Sequence, residues 1–428
     1  MTVRTDLRAD ATAALVASRS LPPGGGWIMP ARADALRRLR AMGVPQKRDE
    51  YWRFTDPGSL VAPLPLPAEP MAPEDGEAFE GLEALRVVFT DGVFDPAASD
   101  DLALAGVEID RLAAVAEADG HWAQDLFGVL EREGQMPVPR PLAALNTAFA
   151  PDGILIRVTG DPGRPIHIVQ RHVAAASDAM LHHVVRVEPG ARLTLLTSGP
   201  AAARLNKVIE VDVAEGGVFH HVRMQGRDHG RRAATHLFAR VAARADFRSF
   251  TLTFNGALTR NEAIVTLAGD EARAHVAGAS VGDGEFHHDD TVFVTHAAEA
   301  CESRQVFKKV LRHGAVGVFQ GKILVRPGAQ KTDGYQLSQA LLLDERSQFL
   351  AKPELEIYAD DVKCSHGSTA GALDPDALFY LRSRGVTEAE AKNLLTLAFL
   401  REALDEIADE RLAEDLSRRL EAWLRRRS

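Results

Sequence analysis

Apolar residues follow two different patterns along the chain, and the pattern changes twice. Up to about residue 145 the spacing is helical. In ARADALRRLRAMG, Ala35, Leu36, Leu39 and Met42 recur on one face, and Gly43 suits a C-cap. The stretch LPLPAEPMAPEDG (64–76) is too rich in proline for a helix or strand to run through it. From Ile154 to about Gly371 short β-branched runs recur instead (ILIRV, PIHIV, HHVVRV, KVIEVDV, FTLTF, VFVTH, KILV, LEIYA), separated by Gly, Asp and Pro turns. Similar turns return at intervals of about 25 residues, as at Gly190 and Gly216. A coil of that length is too thin to bury its apolar face without neighbours, so the pattern favours a parallel β-helix over a closed sandwich. After Gly371 helical spacing returns. Asp374 and Pro375 supply an N-cap and a first-turn proline for a helix stopping at Gly385, and Thr387 with Glu390 forms a capping box. Leu412, Leu416, Leu420 and Trp423 line one face of a last helix. The expectation is a mainly β protein: a mainly helical domain over 1–150, a parallel β-helix core over 151–372 and a helical domain over 373–428.

Composition narrows the function classes. The 428 residues are 46% hydrophobic and 26% charged with a formal net charge of −10, which argues against nucleic acid or an anionic membrane surface as the main partner. The basic run Arg425-Arg426-Arg427 reads as a solvated helix end, where cations complement the helix dipole. The first residues carry Asp6 and Asp10 without an apolar run, and no stretch has the length of a membrane helix. Two cysteines exclude a disulfide-dense scaffold. These features together predict a cytoplasmic protein with reduced thiols.

Candidate chemistry is sparse. GVFQGKI evokes a P-loop, but Val316 stands where the first glycine belongs and Ile323 where the hydroxyl belongs, so no ATP site is expected. Of 15 histidines, all but His121 lie between His167 and His366, and six form the pairs His182-His183, His220-His221 and His287-His288. Strand neighbours point to opposite faces, so each pair is expected to give one inward and one solvated ring. His287 and Asp289, two apart with His296 to follow, are a weak metal candidate against a polar ladder. Cys364 and His366 share that spacing in ADDVKCSHGSTAG, which places both on one face with Cα atoms roughly 6.5–7 Å apart. Three readings compete there: a Cys-His nucleophile, an inert packed cysteine, and part of a metal or cluster site. Cys301 is the only other thiol, so a thiolate-rich ligand set would need a second subunit.

The run KPELEIYADDVKCSHGSTAGALDPDALFYLRSRGV (352–386) resembles the SufB/SufD family of scaffold subunits in the SUF iron–sulfur cluster assembly machinery. HDDTVFVTHAAEACESRQVFKKVL, GAVGVFQGKILVRPGAQKTDGYQ and EYWRFT (50–55) extend the likeness. Ser365 and Gly367 flank His366 as on the SufD side of the family, where the SufB side has acidic flanks; Ser368 and Ala370 depart slightly from the usual run. The resemblance implies a right-handed β-helix between two helical domains. It also implies a non-enzymatic scaffold that pairs with SufB, binds the ATPase SufC and is open to forming a homodimer when alone. His366, and less firmly Cys364, would border a transient cluster shared with SufB, with none held stably by this chain. Helices around Leu378, Phe379, Tyr380, Arg382, Leu394 and Leu397 would dock SufC. The rivals are a β-helix polysaccharide lyase or hydrolase, disfavoured by 6% aromatic residues, and a cupin-like metalloenzyme built on the His-rich strands.

Overall fold

The computed structural model describes residues 7–70, 77–226 and 230–426. Asp6, the second half of the Pro-rich connector (71–76) and Arg427 lie outside the described residues.

Two sheets form the body. The first stacks, from its free edge inward, β19 (Val362–Gly371), β17 (Thr332–Leu342), β15 (Glu302–Arg312), β13 (Arg273–Asp283), β11 (Asp246–Phe254), β9 (Val218–Gln225), β7 (Arg192–Ser198), β5 (Ile166–Arg171), β1 (Leu85–Thr90) and β2 (Val93–Phe94). The second stacks β18 (Gln348–Ile357), β16 (Val316–Val325), β14 (His287–His296), β12 (Leu258–Leu267), β10 (Arg232–Val241), β8 (Arg204–Val213), β6 (Asp178–Val187), β4 (Ile154–Val158) and β3 (Val107–Arg111). From β4 onward successive strands alternate between the sheets and every pair is parallel, so the chain winds as a β-solenoid. One coil spans 26 residues between Asp178 and Arg204 but 32 between Val316 and Gln348. The expected interval of about 25 is therefore the short end of the range. Corners absorb insertions without disturbing the stacked strands, so turn spacing drifts while register holds.

Strands β1 to β3 fall within the span whose spacing reads as helical. LRVVFT has the β-branched and aromatic content of a strand, but it is a single short run among Ala- and Leu-rich helices. Its register with β5, Leu85 opposite Ile166 through Thr90 opposite Arg171, covers an edge that would otherwise be open.

Inside the coils, aligned side chains stack in columns such as Val187, Val213, Val241 and Leu267. Both outer faces are covered as well. Leu126, Phe127 and Leu130, from the segment leading into α5 (Val129–Glu133), pack on Val184, Val208 and Phe238 of the second sheet. Together with α1 (Leu7–Ala17), α2 (Met29–Met42), α3 (Gly58–Val61), α4 (Leu112–Val115) and α6 (Pro141–Phe149), this segment forms the N-terminal layer, in which Ala35 and Leu39 are buried as their spacing predicts. On the first sheet, α8 (Glu388–Leu404) and α9 (Glu410–Arg426) pack against Val222, Phe250, Leu252 and Phe254. Leu412, Leu416, Leu420 and Trp423 are buried there, with the Trp423 and Phe254 rings 5.9 Å apart. Two covered faces explain why the strands read as nearly continuous apolar runs rather than clean alternations. The same cover corrects the histidine expectation: His182 and His183 are both buried, because the outward ring meets Phe127 and Glu210 instead of water.

The C-terminal layer is fastened at Glu406, between α8 and α9. Its carboxylate pairs with His275 (2.7 Å) and with Arg304 (3.1 Å) on the sheet beneath. Burial alone would raise this carboxyl, and the hydrogen bonds and charges of His275 and Arg304 overcome it, bringing it to about 2 from an ordinary 4.5. A depressed carboxylate stabilises the fold above its unfolded value and loses that contribution as pH falls toward the folded one. The C-terminal helices should therefore loosen between about pH 4.5 and pH 2. Trp423 fluorescence against pH would report it, and Glu406→Gln should flatten that dependence; an unchanged titration in the variant would refute the clasp.

Candidate functional site

Strand β19 is the last coil and carries both candidate residues. Its register puts Gly334 beside Cys364 and Gln336 beside His366. Cys364 and His366 share the face that turns toward the solenoid axis, as the two-residue spacing requires. They meet different surroundings along it. Cys364 is half-buried against Ile323, Val325, Leu355 and Val362. A Cβ on Gly334 would lie 3.3 Å from the Cys364 sulfur and 3.5 Å from Ile323, so glycine there leaves the thiol its seat. Burial pushes the thiol up, the backbone hydrogen bond at Gly334 pulls it down, and the Asp333 charge raises it again, with a net upward shift. In the free chain Cys364 is thus a thiol, and a cation or partner would have to draw off its proton for it to act as a ligand. His366 is exposed, and among the described residues none hydrogen-bonds or ion-pairs with its ring. Without a hydrogen bond from the described residues to orient that ring, the geometry disfavours the reading as a self-contained Cys-His nucleophile. Cys301 is buried at the foot of β15, its thiol 3.3 Å from the Gly269 carbonyl oxygen, and packs in the solenoid core rather than beside Cys364.

The other sequence candidates resolve into structure. Asp289 accepts from Thr55 (2.6 Å) and Gln320 (3.1 Å) and pairs with Arg260, while His287 Nε2 lies 3.0 Å from the Thr55 hydroxyl. His296 lies on the opposite face of β14 and bonds Ser303. The polar-ladder reading holds, and these residues do not converge on a metal. Gly321 of the apparent P-loop is inside β16, where a side chain would strike Gln336. Among the described residues one cluster has metal-like spacing: Glu108, Asp110 and His121, whose ligand atoms lie within 4.8 Å of one another. His121 Nδ1 accepts from the Ala123 N–H at 3.1 Å, which leaves the proton on Nε2, facing Asp110 at 3.3 Å. The ring offers that cluster an N–H rather than a lone pair.

A role for EYWRFT emerges only in three dimensions. Tyr51 donates its hydroxyl to Glu354 of β18, and its ring lies 3.8 Å from the Lys352 ammonium, which also pairs with Glu50 (2.7 Å). Trp52 stacks under Arg260 at 4.1 Å. The N-terminal segment therefore props the outer side of the penultimate strand, next to the coil that bears Cys364 and His366. Only the aromatic pair at 51–52 hinted at this in the sequence.

Past Gly371 the chain enters α7 (Pro375–Ser383) within four residues. Asp374 caps it, accepting from the N–H of Asp376 and of Ala377, and Thr387 caps α8 through the N–H of Glu390. Helix α7 has no buried residue; Phe379 is 73% exposed, Tyr380 and Leu394 are exposed, Arg382 reaches toward Glu388, and Leu378 is half-buried. Leu397 instead packs toward the sheet.

Comparison with known proteins accounts for most of the chain. Residues 170–399 match the family model described as SUF system FeS cluster assembly, SufBD core domain, and residues 26–162 match SufBD protein N-terminal region. The chain is 28% identical over 408 residues to iron–sulfur cluster assembly protein SufD of Escherichia coli, covering 91% of this chain and 92% of that one. A SufBD family protein of Synechocystis is 31% identical, with 88% and 86% covered, and SufD of Bacillus subtilis 26% identical, with 64% and 65% covered. No described helix is long and apolar enough to cross a membrane. A two-sheet solenoid clad by helices, ending in the Cys364/His366 strand and matched along both its regions, belongs to the SufBD family of the SUF iron–sulfur cluster assembly system.

Proposed function

We propose that this chain is the SufD-type scaffold subunit of a SUF complex: β19 pairs with a SufB-type paralogue, and α7 with α8 receives a SufC-type ATPase. The observation that carries the reading is the open end of the solenoid. Both sheets terminate there in ten-residue strands, β18 and β19, and among the described residues no further strand pairs with either edge. Long bare edges are aggregation-prone unless blunted or paired. Pro353 interrupts β18, as prolines at sheet edges do, whereas β19 carries no proline and is mostly exposed. Strand addition from a partner satisfies that edge and brings foreign ligands to Cys364 and His366. This chain supplies one thiol and one imidazole there, fewer than a cluster needs, so the iron–sulfur cluster is cargo built at a shared boundary rather than a resident group. The GVFQGKI stretch departs from the P-loop pattern at Val316 and Ile323 and lies within β16, which supports scaffolding rather than ATP hydrolysis as the role of this chain. The exposed aromatic face of α7 suits a docking partner, and its three-residue link to β19 transmits ATPase movement to the boundary.

Two classes of variant separate the surfaces. Alternate residues of a strand direct their N–H groups to opposite sides, so proline at either Ser365 or Ser368 removes an outward donor. One of these two variants should lose the paralogue in co-purification while keeping the ATPase. Phe379→Asp should do the reverse. Retention of both partners by all three variants would overturn the assignment.

A further inference from the structure

The solenoid interior is unevenly charged. Lys207, Arg223, Arg231 and Lys309 all point into it and are buried. The carboxylate near them is Asp290, which Lys309 already holds and to which Asn261 donates at 3.3 Å. Arg223 reaches only hydroxyls, those of Thr235 (2.8 Å) and Thr251 (3.3 Å). Lys207 is 1% exposed, and its closest recorded partner is the Gln170 side-chain oxygen at 3.5 Å, the outer limit of a hydrogen bond. Neighbouring donors are orphaned too. His183 Nδ1 accepts from the Ile154 N–H, so Nε2 carries the proton, and that N–H has no acceptor; the Gln170 side-chain nitrogen has none either.

Lys207 and Arg223 border an enclosed space. A cavity of about 40 Å³ is lined by Lys207, His221, Arg223, Thr235, Asn261 and the Asp290 carboxylate. That exceeds the ~10–15 Å³ a single water requires. The carboxylates of its lining are already paired, Asp290 with Lys309 and Glu262 with Arg140 and Arg260, so the Lys207 and Arg223 charges remain in excess. Isolated buried cations are strongly disfavoured without a counter-charge.

The geometry points to a binding site for a small monovalent inorganic anion, of halide size, held between Lys207 and Arg223 inside the β-solenoid. The anion supplies the counter-charge that no carboxylate gives Lys207. Without it, burial and the Arg223 charge push the lysine well below its ordinary value, toward the neutral amine. The site is independent of the open edge at β19 and of the partners proposed for it.

Bromide is the probe. Crystals of the full chain soaked in sodium bromide should show an anomalous peak in contact with Lys207 Nζ, and the peak should vanish in Lys207→Met. In solution, exchanging sodium gluconate for bromide at constant ionic strength should raise the melting temperature of the native chain by about 1–2 °C. Lys207→Met should remove that difference. No peak in native crystals would overturn the proposal whether or not the variant folds. So would a Lys207→Met protein that is more stable than native in both salts with the bromide increment intact, the behaviour of a neutral lysine among waters.

Discussion

With His366→Ala, the proposed complex of this chain with a SufB-type paralogue and a SufC-type ATPase should assemble at native yield and form about tenfold less cluster or fewer still. The side chain is exposed on the last strand and, among the described residues, has no hydrogen bond or ion pair, so its loss removes none from the chain. The effect must therefore fall on what the partner brings to that edge. Cys364→Ser should cost less. Its thiol is half-buried against aliphatic neighbours and shifted upward, so it is the poorer ligand until something deprotonates it. Cluster formation is read from the visible absorbance of the reconstituted complex, and assembly from its mass. Native cluster yield in the His366→Ala complex would remove His366 from the site.

Replacing Arg260 with alanine should destabilise the chain by about 3–5 kcal/mol, the usual result of stripping one partner from a buried ion cluster. Arg260 is buried between Glu262 (2.8 Å) and Asp289, donates to the Tyr51 carbonyl at 2.9 Å and stacks on Trp52. Burial would raise the Glu262 carboxyl, and the charges of Arg260 and Arg140 outweigh it, bringing it to about 2. Arg140 remains 2.9 Å from Glu262 in the variant, so the orphaned charge is chiefly Asp289. Lysine is no substitute, because one ammonium cannot make two in-plane bonds and stack on an indole together. Urea unfolding measures the loss, and a change below about 1 kcal/mol would contradict it. The consequence reaches the functional edge. Residues 50–55 are pinned by Arg260 on one side and grip β18 through Tyr51 on the other, so releasing them frees the support of the last coil.

The fold was largely legible. β-Branched runs punctuated by Gly and Asp turns led to a parallel solenoid, and Asp374, Pro375 and Thr387 marked helix starts that the capping hydrogen bonds bear out. The shared face of Cys364 and His366 followed from strand alternation alone. The strands at 85–111 were obscured, because an isolated short run has no periodic neighbours to announce it. The histidine pairs misled for a related reason. Alternation predicts which ring leaves the solenoid but not whether a helix waits outside, and Phe127, 55 residues before His182, decides that.

What the sequence determined by itself is local: the period of each segment, the turn and capping residues, the face a side chain takes on its strand, and too few thiols for a cluster. The tertiary structure alone decided which faces are covered and which charges meet. Arg260 finds Trp52 and Asp289, Tyr51 finds Glu354, and Lys207 finds no carboxylate. Strand and helix periodicity arise from backbone geometry within a few residues, whereas burial and ion pairing depend on segments brought together from hundreds of residues apart, which leave no periodic trace in either partner.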